Sequence, residues 1–144
     1  MDVSHAVLHC FVMESPKDRG GDKRQLLSVV VDDDESVRES LPDLLREFGF
    51  ATRAFSSAQD FLLSGCVDET SCLILDIAMP VMSGPELFQE LKGSGQEIPV
   101  IFITGQRDET LRARLLNQGA AGFLLKPFSD TALLAAINTA LHTN

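Results

Sequence analysis

Short apolar runs alternate along this chain with stretches whose apolar residues recur every three or four positions. Leu26 to Val31 is a mostly apolar run that stops abruptly at Asp32-Asp33-Asp34, which predicts a buried strand. Val37, Leu41, Leu44, Leu45 and Phe48 then follow at helical spacing, with Gly49 as the stop. Pro42 falls inside that helix, removes one backbone donor and is expected to bend it. Phe50 to Phe55 reads as an edge strand and Ser57 to Ser64 as a short helix. Cys72 to Leu75 reads as a second buried strand, again closed by an acid, Asp76. Ser83 with Glu86 forms a capping box, with Pro85 in the first turn, and the helix it opens carries Leu87, Phe88 and Leu91. Ile98 to Ile103 is a β-branched strand ending at Thr104-Gly105, and Thr110 to Gln118 is helical with Gly119 as its C-cap. Gly122 to Leu125 is a short strand before Lys126-Pro127. Ser129 caps a last helix whose buried face is Leu133, Leu134, Ile137 and Leu141.

These are five strand–helix units in succession. Apolar strands separated by amphipathic helices imply an α/β fold, a five-stranded parallel sheet covered on both faces and doubly wound through right-handed crossovers. In such folds the functional crevice lies beyond the carboxyl ends of the strands. Residues 1–25 break the pattern: SPKDRGGDKRQ, from Ser15 to Gln25, is polar and rich in Gly, Pro and charge. They read as a disordered tail ahead of a domain spanning residues 26–144, and Met13 is an alternative translation start.

Composition narrows the picture. The chain has 144 residues, 12 Lys+Arg against 21 Asp+Glu, and a net charge of −9. The length fits one domain. The negative charge argues against direct nucleic-acid contact, which needs a basic face. No apolar run approaches the roughly 20 residues of a membrane span. Three cysteines, Cys10, Cys66 and Cys72, without CxxC spacing suit free thiols and a cytoplasmic setting.

The strand ends carry the chemistry. Strand one ends in Asp32 and Asp33, strand three in Asp76, strand four in Thr104 and strand five in Lys126. A lone acid at a strand end commonly caps the next helix, as Asp33 or Asp34 could here. Three carboxylates at one sheet edge instead repel one another unless a cation joins them. A hard divalent ion with oxygen ligands meets that need, and Mg2+ is the usual candidate. With Lys126 added, the edge could hold a dianionic phosphoryl group.

VVVDDDESVRESL, LILDIAMPVMSGPEL, VIFITGQ and GFLLKPF, in that order, resemble the receiver domain of bacterial two-component response regulators, over about Leu26 to Leu141. The resemblance implies a flavodoxin-like (βα)5 fold and assigns roles residue by residue. Asp76 matches the phosphorylated aspartate, and Asp32 and Asp33 match the acidic pair that organises Mg2+, Asp33 the more direct ligand. The Ala78 carbonyl completes the protein's share of the metal shell. Thr104 matches the switch hydroxyl, Lys126 the lysine that pairs with the phosphoryl group, and Phe123 the aromatic switch position. A cis bond is implied before Pro127, and Ala78 and Gln106 flank the path of attacking water.

The same resemblance implies a sensor histidine kinase as donor, docking against the first helix, where Pro42 departs from the pattern. It implies dimerisation or partner binding through the face of the fourth helix, fifth strand and fifth helix. The chain would then be a phosphoacceptor that takes part in its own phosphorylation and dephosphorylation. MPVMSG with TGQ looks like receivers that precede a LuxR-type helix-turn-helix in transcription regulators, and nothing in the pattern supplies such an output domain here. A haloacid-type phosphatase is disfavoured because Ala78 stands where its general acid belongs. A nucleotide-binding fold lacks both GxxxxGK[ST] and GxGxxG. The alternative is a phosphorylation-independent pseudo-receiver that acts as an interaction module.

Overall fold

The computed structural model describes residues 26–142, so the tail, the Met13 start and Cys10 lie outside the described residues. The elements alternate along the chain as β1 Leu27–Val31, α1 Glu35–Glu47, β2 Ala51–Phe55, α2 Ala58–Leu62, β3 Thr70–Asp76, α3 Gly84–Gly93, β4 Val100–Thr104, α4 Glu109–Asn117, β5 Gly122–Leu125 and α5 Asp130–His142. All four strand pairings are parallel, in the order β2-β1-β3-β4-β5. The order reverses direction at β1, so the crevice opens between the carboxyl ends of β1 and β3.

Alternation along the central strands feeds two cores. Val29 and Val31, Leu73 and Leu75, and Val100 and Phe102 face one way, against Phe61 of α2, Leu87, Phe88 and Leu91 of α3 and Leu115 of α4. Val30, Cys72, Ile74, Ile101 and Ile103 face the other way, against Leu41 and Leu45 of α1 and Leu133, Ile137 and Ala140 of α5. Strands covered on both faces carry apolar residues on both, which is why β1, β3 and β4 read as nearly continuous apolar runs, with Ser28 the one polar residue inside β1. The edge strands β2 and β5 are only half-buried.

Several boundaries move from the sequence expectation. β4 starts at Val100 because Pro99 has no N–H; its carbonyl instead accepts from Leu73 N at 2.9 Å. β3 extends back to Thr70, whose hydroxyl donates to the Cys66 carbonyl at 2.8 Å, and a short 3-10 turn at Val67–Glu69 precedes it. Phe50 is buried but lies outside β2, because its N–H closes the end of α1 onto Leu45 O. α2 is shorter than expected, ending at Leu62, with Ser57 as its cap. α4 starts one residue early, under an Asp108 cap; Gln118 is its C-cap and Gly119 follows with φ of 107°. α1 runs unbroken through a buried Pro42. On α5, Leu133 and Ile137 are buried as expected, but Leu134 and Leu141 are only half-buried, and Ala140 completes the buried face at i, i+4, i+7 spacing.

Candidate functional site

β1 ends as its chain leaves the sheet at Asp32, whose N–H still donates to Phe55 O of β2 at 3.1 Å. The Asp32 side chain is fully buried. Its Oδ1 accepts from the Asp34 amide at 2.9 Å and its Oδ2 from Lys126 Nζ at 2.9 Å. Asp34 is the helix cap, accepting from the Ser36 hydroxyl at 2.9 Å and from Ser36 N at 3.0 Å, and those bonds, the hydroxyl first, hold its carboxyl below the usual aspartate range. Asp33 is exposed. β3 delivers Asp76, 5% exposed, to the same edge, where Lys126 Nζ approaches its Oδ1 at 3.3 Å. One carboxylate oxygen from each of Asp32, Asp33 and Asp76 lies within 4.8 Å of the others.

The electrostatics follow from this crowding. Burial, and next the neighbouring Asp32 charge, push the Asp76 carboxyl up to about 6; Lys126 pulls the other way, and Asp33 adds a smaller upward push. Burial works against the Lys126 ammonium, yet Asp32 and Asp76 together hold its pKa above the ordinary lysine value. One ammonium is thus shared between two buried acids, with a third carboxylate beside them. Oxygen donors in this number and spacing fit a hard divalent cation.

The remaining expected residues take distinct positions. Thr104 ends β4, buried, with its hydroxyl accepting from Gln106 N at 3.2 Å in its own turn. Phe123 on β5 is half-buried against the core beneath α2, α3 and α4. Ala78 is exposed in the loop after β3. The Lys126–Pro127 bond is cis.

Three features of the geometry go beyond what the sequence pattern carries. Gly84 packs so closely on the end of β3 that a Cβ would collide with the Asp76 carbonyl oxygen; its N–H donates to Ile77 O at 2.9 Å. The capping box predicted at Ser83 is present, but it hides this second demand on the same junction. Val81, 87% exposed, has φ of 72° and centres a γ-turn closed by Met82 N on Pro80 O at 2.9 Å. A β-branched residue in that conformation is strained, and the strain sits in the loop that carries Ala78. Arg38, half-buried on α1, donates from Nη1 to the Asp32 carbonyl oxygen at 3.1 Å. A helical arginine in a polar sequence carries no sign of such a contact.

Comparison with known proteins identifies the family. The response regulator receiver domain model matches residues 29–138. The response regulator protein TodT of Pseudomonas putida F1 is 42% identical over 112 residues, covering 78% of this chain and 49% of that protein. Transcriptional regulatory protein FixJ of Azorhizobium caulinodans is 43% identical over 112 residues, covering 78% and 53%. The chain therefore spans about half the length of these curated relatives. Among solved structures, the response regulator StyR superposes with a TM-score of 0.77 at 43% identity, over 83% of this chain and 61% of that one. FixJ-N does so with a TM-score of 0.74 at 35% identity, over 85% and 98%. With its strand-end acids and lysine gathered at the crevice of a 2-1-3-4-5 sheet, the chain belongs to the receiver domain family of two-component response regulators.

Proposed function

We propose that this domain, from residue 26 onward, is the phosphoacceptor of a two-component relay, with Asp76 taking a phosphoryl group from a phosphohistidine of a sensor histidine kinase. The observation that carries the reading is the meeting of three carboxylates within 4.8 Å, two of them bridged by Lys126. An Asp76 oxygen attacks phosphorus and forms an acyl phosphate as the phosphorus–nitrogen bond breaks and the kinase imidazole leaves and is protonated, and the other groups position the donor and offset its charge. Mg2+, held by Asp32, Asp33, Asp76 and the Ala78 carbonyl, would supply charge neutralisation at the phosphoryl oxygens. Lys126 turns from its carboxylate partners to the phosphoryl group. Thr104 releases Gln106 and donates its hydroxyl to a phosphoryl oxygen, and Phe123 turns inward into the space vacated.

The result is a population shift that alters the face of α4, β5 and α5, where a second copy or another partner binds. The chain thus takes part in its own phosphorylation and dephosphorylation rather than turning over a separate substrate. An apolar groove between α1 and the loop after β5, lined by Val37, Leu41, Leu44, Pro127 and Phe128, supports approach of the kinase along α1. The name of the FixJ relative supports a role in transcription control, exerted in the cytoplasm through a partner or a further domain.

Incubation with acetyl phosphate and Mg2+ followed by intact-mass measurement tests the proposal. The parent is expected to gain one phosphoryl group and Asp76→Asn none. A parent that gains nothing overturns the acceptor reading in favour of a phosphorylation-independent interaction module.

A further inference from the structure

Asp32 and Asp33 reach the acidic cluster by different means. Both Asp32 carboxylate oxygens are held, one by the Asp34 amide and one by Lys126. Asp33 is exposed, and among the described residues no donor holds its carboxylate. Its place within 4.8 Å of the other two carboxylates is therefore set by the backbone that carries it. That backbone is the peptide plane joining Asp32 to Asp33. A peptide unit is planar, so fixing the direction of the Asp32 carbonyl also fixes the Asp33 amide and the path on which the Asp33 Cα departs. Arg38 provides that hold from the first turn of α1, through Nη1 on the Asp32 carbonyl oxygen at 3.1 Å.

We propose that Arg38 is a positioning residue for divalent-cation binding, which orients the Asp32–Asp33 peptide plane and so aims Asp33 into the carboxylate cluster. The inference rests on the acceptor reading, because it takes the cluster to bind Mg2+. Charge alone argues the other way. A guanidinium held on the Asp32 carbonyl repels a cation entering the cluster, so its removal would tighten Mg2+ if charge were its only influence. The sign of the change therefore separates orientation from charge.

Titration calorimetry of the full chain with magnesium chloride makes the test, on the parent, Arg38→Met and Arg38→Lys. Methionine keeps much of the apolar stem but has no donor. Arg38→Met is expected to bind Mg2+ roughly 10-fold more weakly, the scale of losses when an outer-shell hydrogen bond to a metal site is removed. Its labelling by acetyl phosphate slows at limiting Mg2+ and returns to the parent rate at saturation. Arg38→Lys, which restores a donor together with the opposing charge, recovers most of the affinity. An Arg38→Met that binds Mg2+ as tightly as the parent, or more tightly, overturns the inference. Circular dichroism without metal checks folding. Should Arg38→Met not fold, Arg38→Gln, whose shorter side chain leaves its donor short of the carbonyl, replaces it under the same expectations. A parent that takes up no Mg2+ overturns the acceptor reading itself, a result distinct from equal binding by parent and variant.

Discussion

Asp76 lies at the end of an apolar strand beside Asp32, with Lys126 to offset both. Burial and the Asp32 charge raise its carboxyl to about 6, whereas an aspartate in an unfolded chain titrates near 3.9. Between those values the native state still holds a proton that the unfolded chain has released. Raising the pH from about 4 to about 6 therefore lowers stability, and above that window the loss is complete. Asp76→Asn cannot ionise and escapes the loss. Urea unfolding in EDTA is expected to show Asp76→Asn more stable than the parent by about 1–2 kcal/mol at neutral pH, less than the full separation implies because solvent at the rim screens part of it. The gap closes toward pH 4; equal stability at neutral pH would count against the burial of a charged Asp76. Asp32, Asp33, Asp76 and Lys126 were legible because each terminates an apolar run. Arg38 was not, since its bond to Asp32 bridges a helix and a strand end, and Val81 was not, since β-branched residues argue against positive φ.

The junction between β3 and α3 shows how an element can be right in outline and still hide its main constraint. Ser83 and Glu86 cap α3 reciprocally, Ser83 N on Glu86 Oε1 at 2.9 Å and Glu86 N on Ser83 Oγ at 3.3 Å, as the S-x-x-E spacing predicts. Gly84 obeys a different rule, because the start of α3 presses on the backbone that presents Asp76. Gly84→Ala forces these two segments apart. It is expected to destabilise the fold by about 2 kcal/mol or more, read as a lower midpoint in thermal unfolding, and to slow labelling of Asp76. An unchanged midpoint would show that the junction yields without cost. Helix ends were partly legible because caps are local: Ser83 and Ser129 act as expected, whereas Ser57, read as the first residue of α2, caps it instead. Strand ends were less so. The limits of β3 and β4 depend on which neighbouring backbone groups remain to pair, as Pro99 shows.

For the whole molecule, the acidic cluster is a local excess of negative charge that the fold tolerates because Lys126 bridges two of its members. A cation that binds the native cluster and not the unfolded chain must raise stability, by about 2.7 kcal/mol at a hundred times its Kd. Scanning calorimetry is expected to show a midpoint several degrees higher in magnesium chloride than in EDTA. Asp33→Ala removes that rise while leaving the metal-free midpoint nearly unchanged, since Asp33 is exposed. The same midpoint with and without magnesium in the parent would remove the metal from the reading.

The net charge of −9, the five strand–helix units and the identity of the strand-end residues follow from composition and period alone, because burial on one or two faces writes itself into spacing. Spacing cannot say which strands are neighbours, nor that α1 and α5 share one face and α2, α3 and α4 the other. Those depend on pairings between segments far apart in the chain. Lys126 meets Asp32 across 94 positions, and only the assembled sheet makes that distance short.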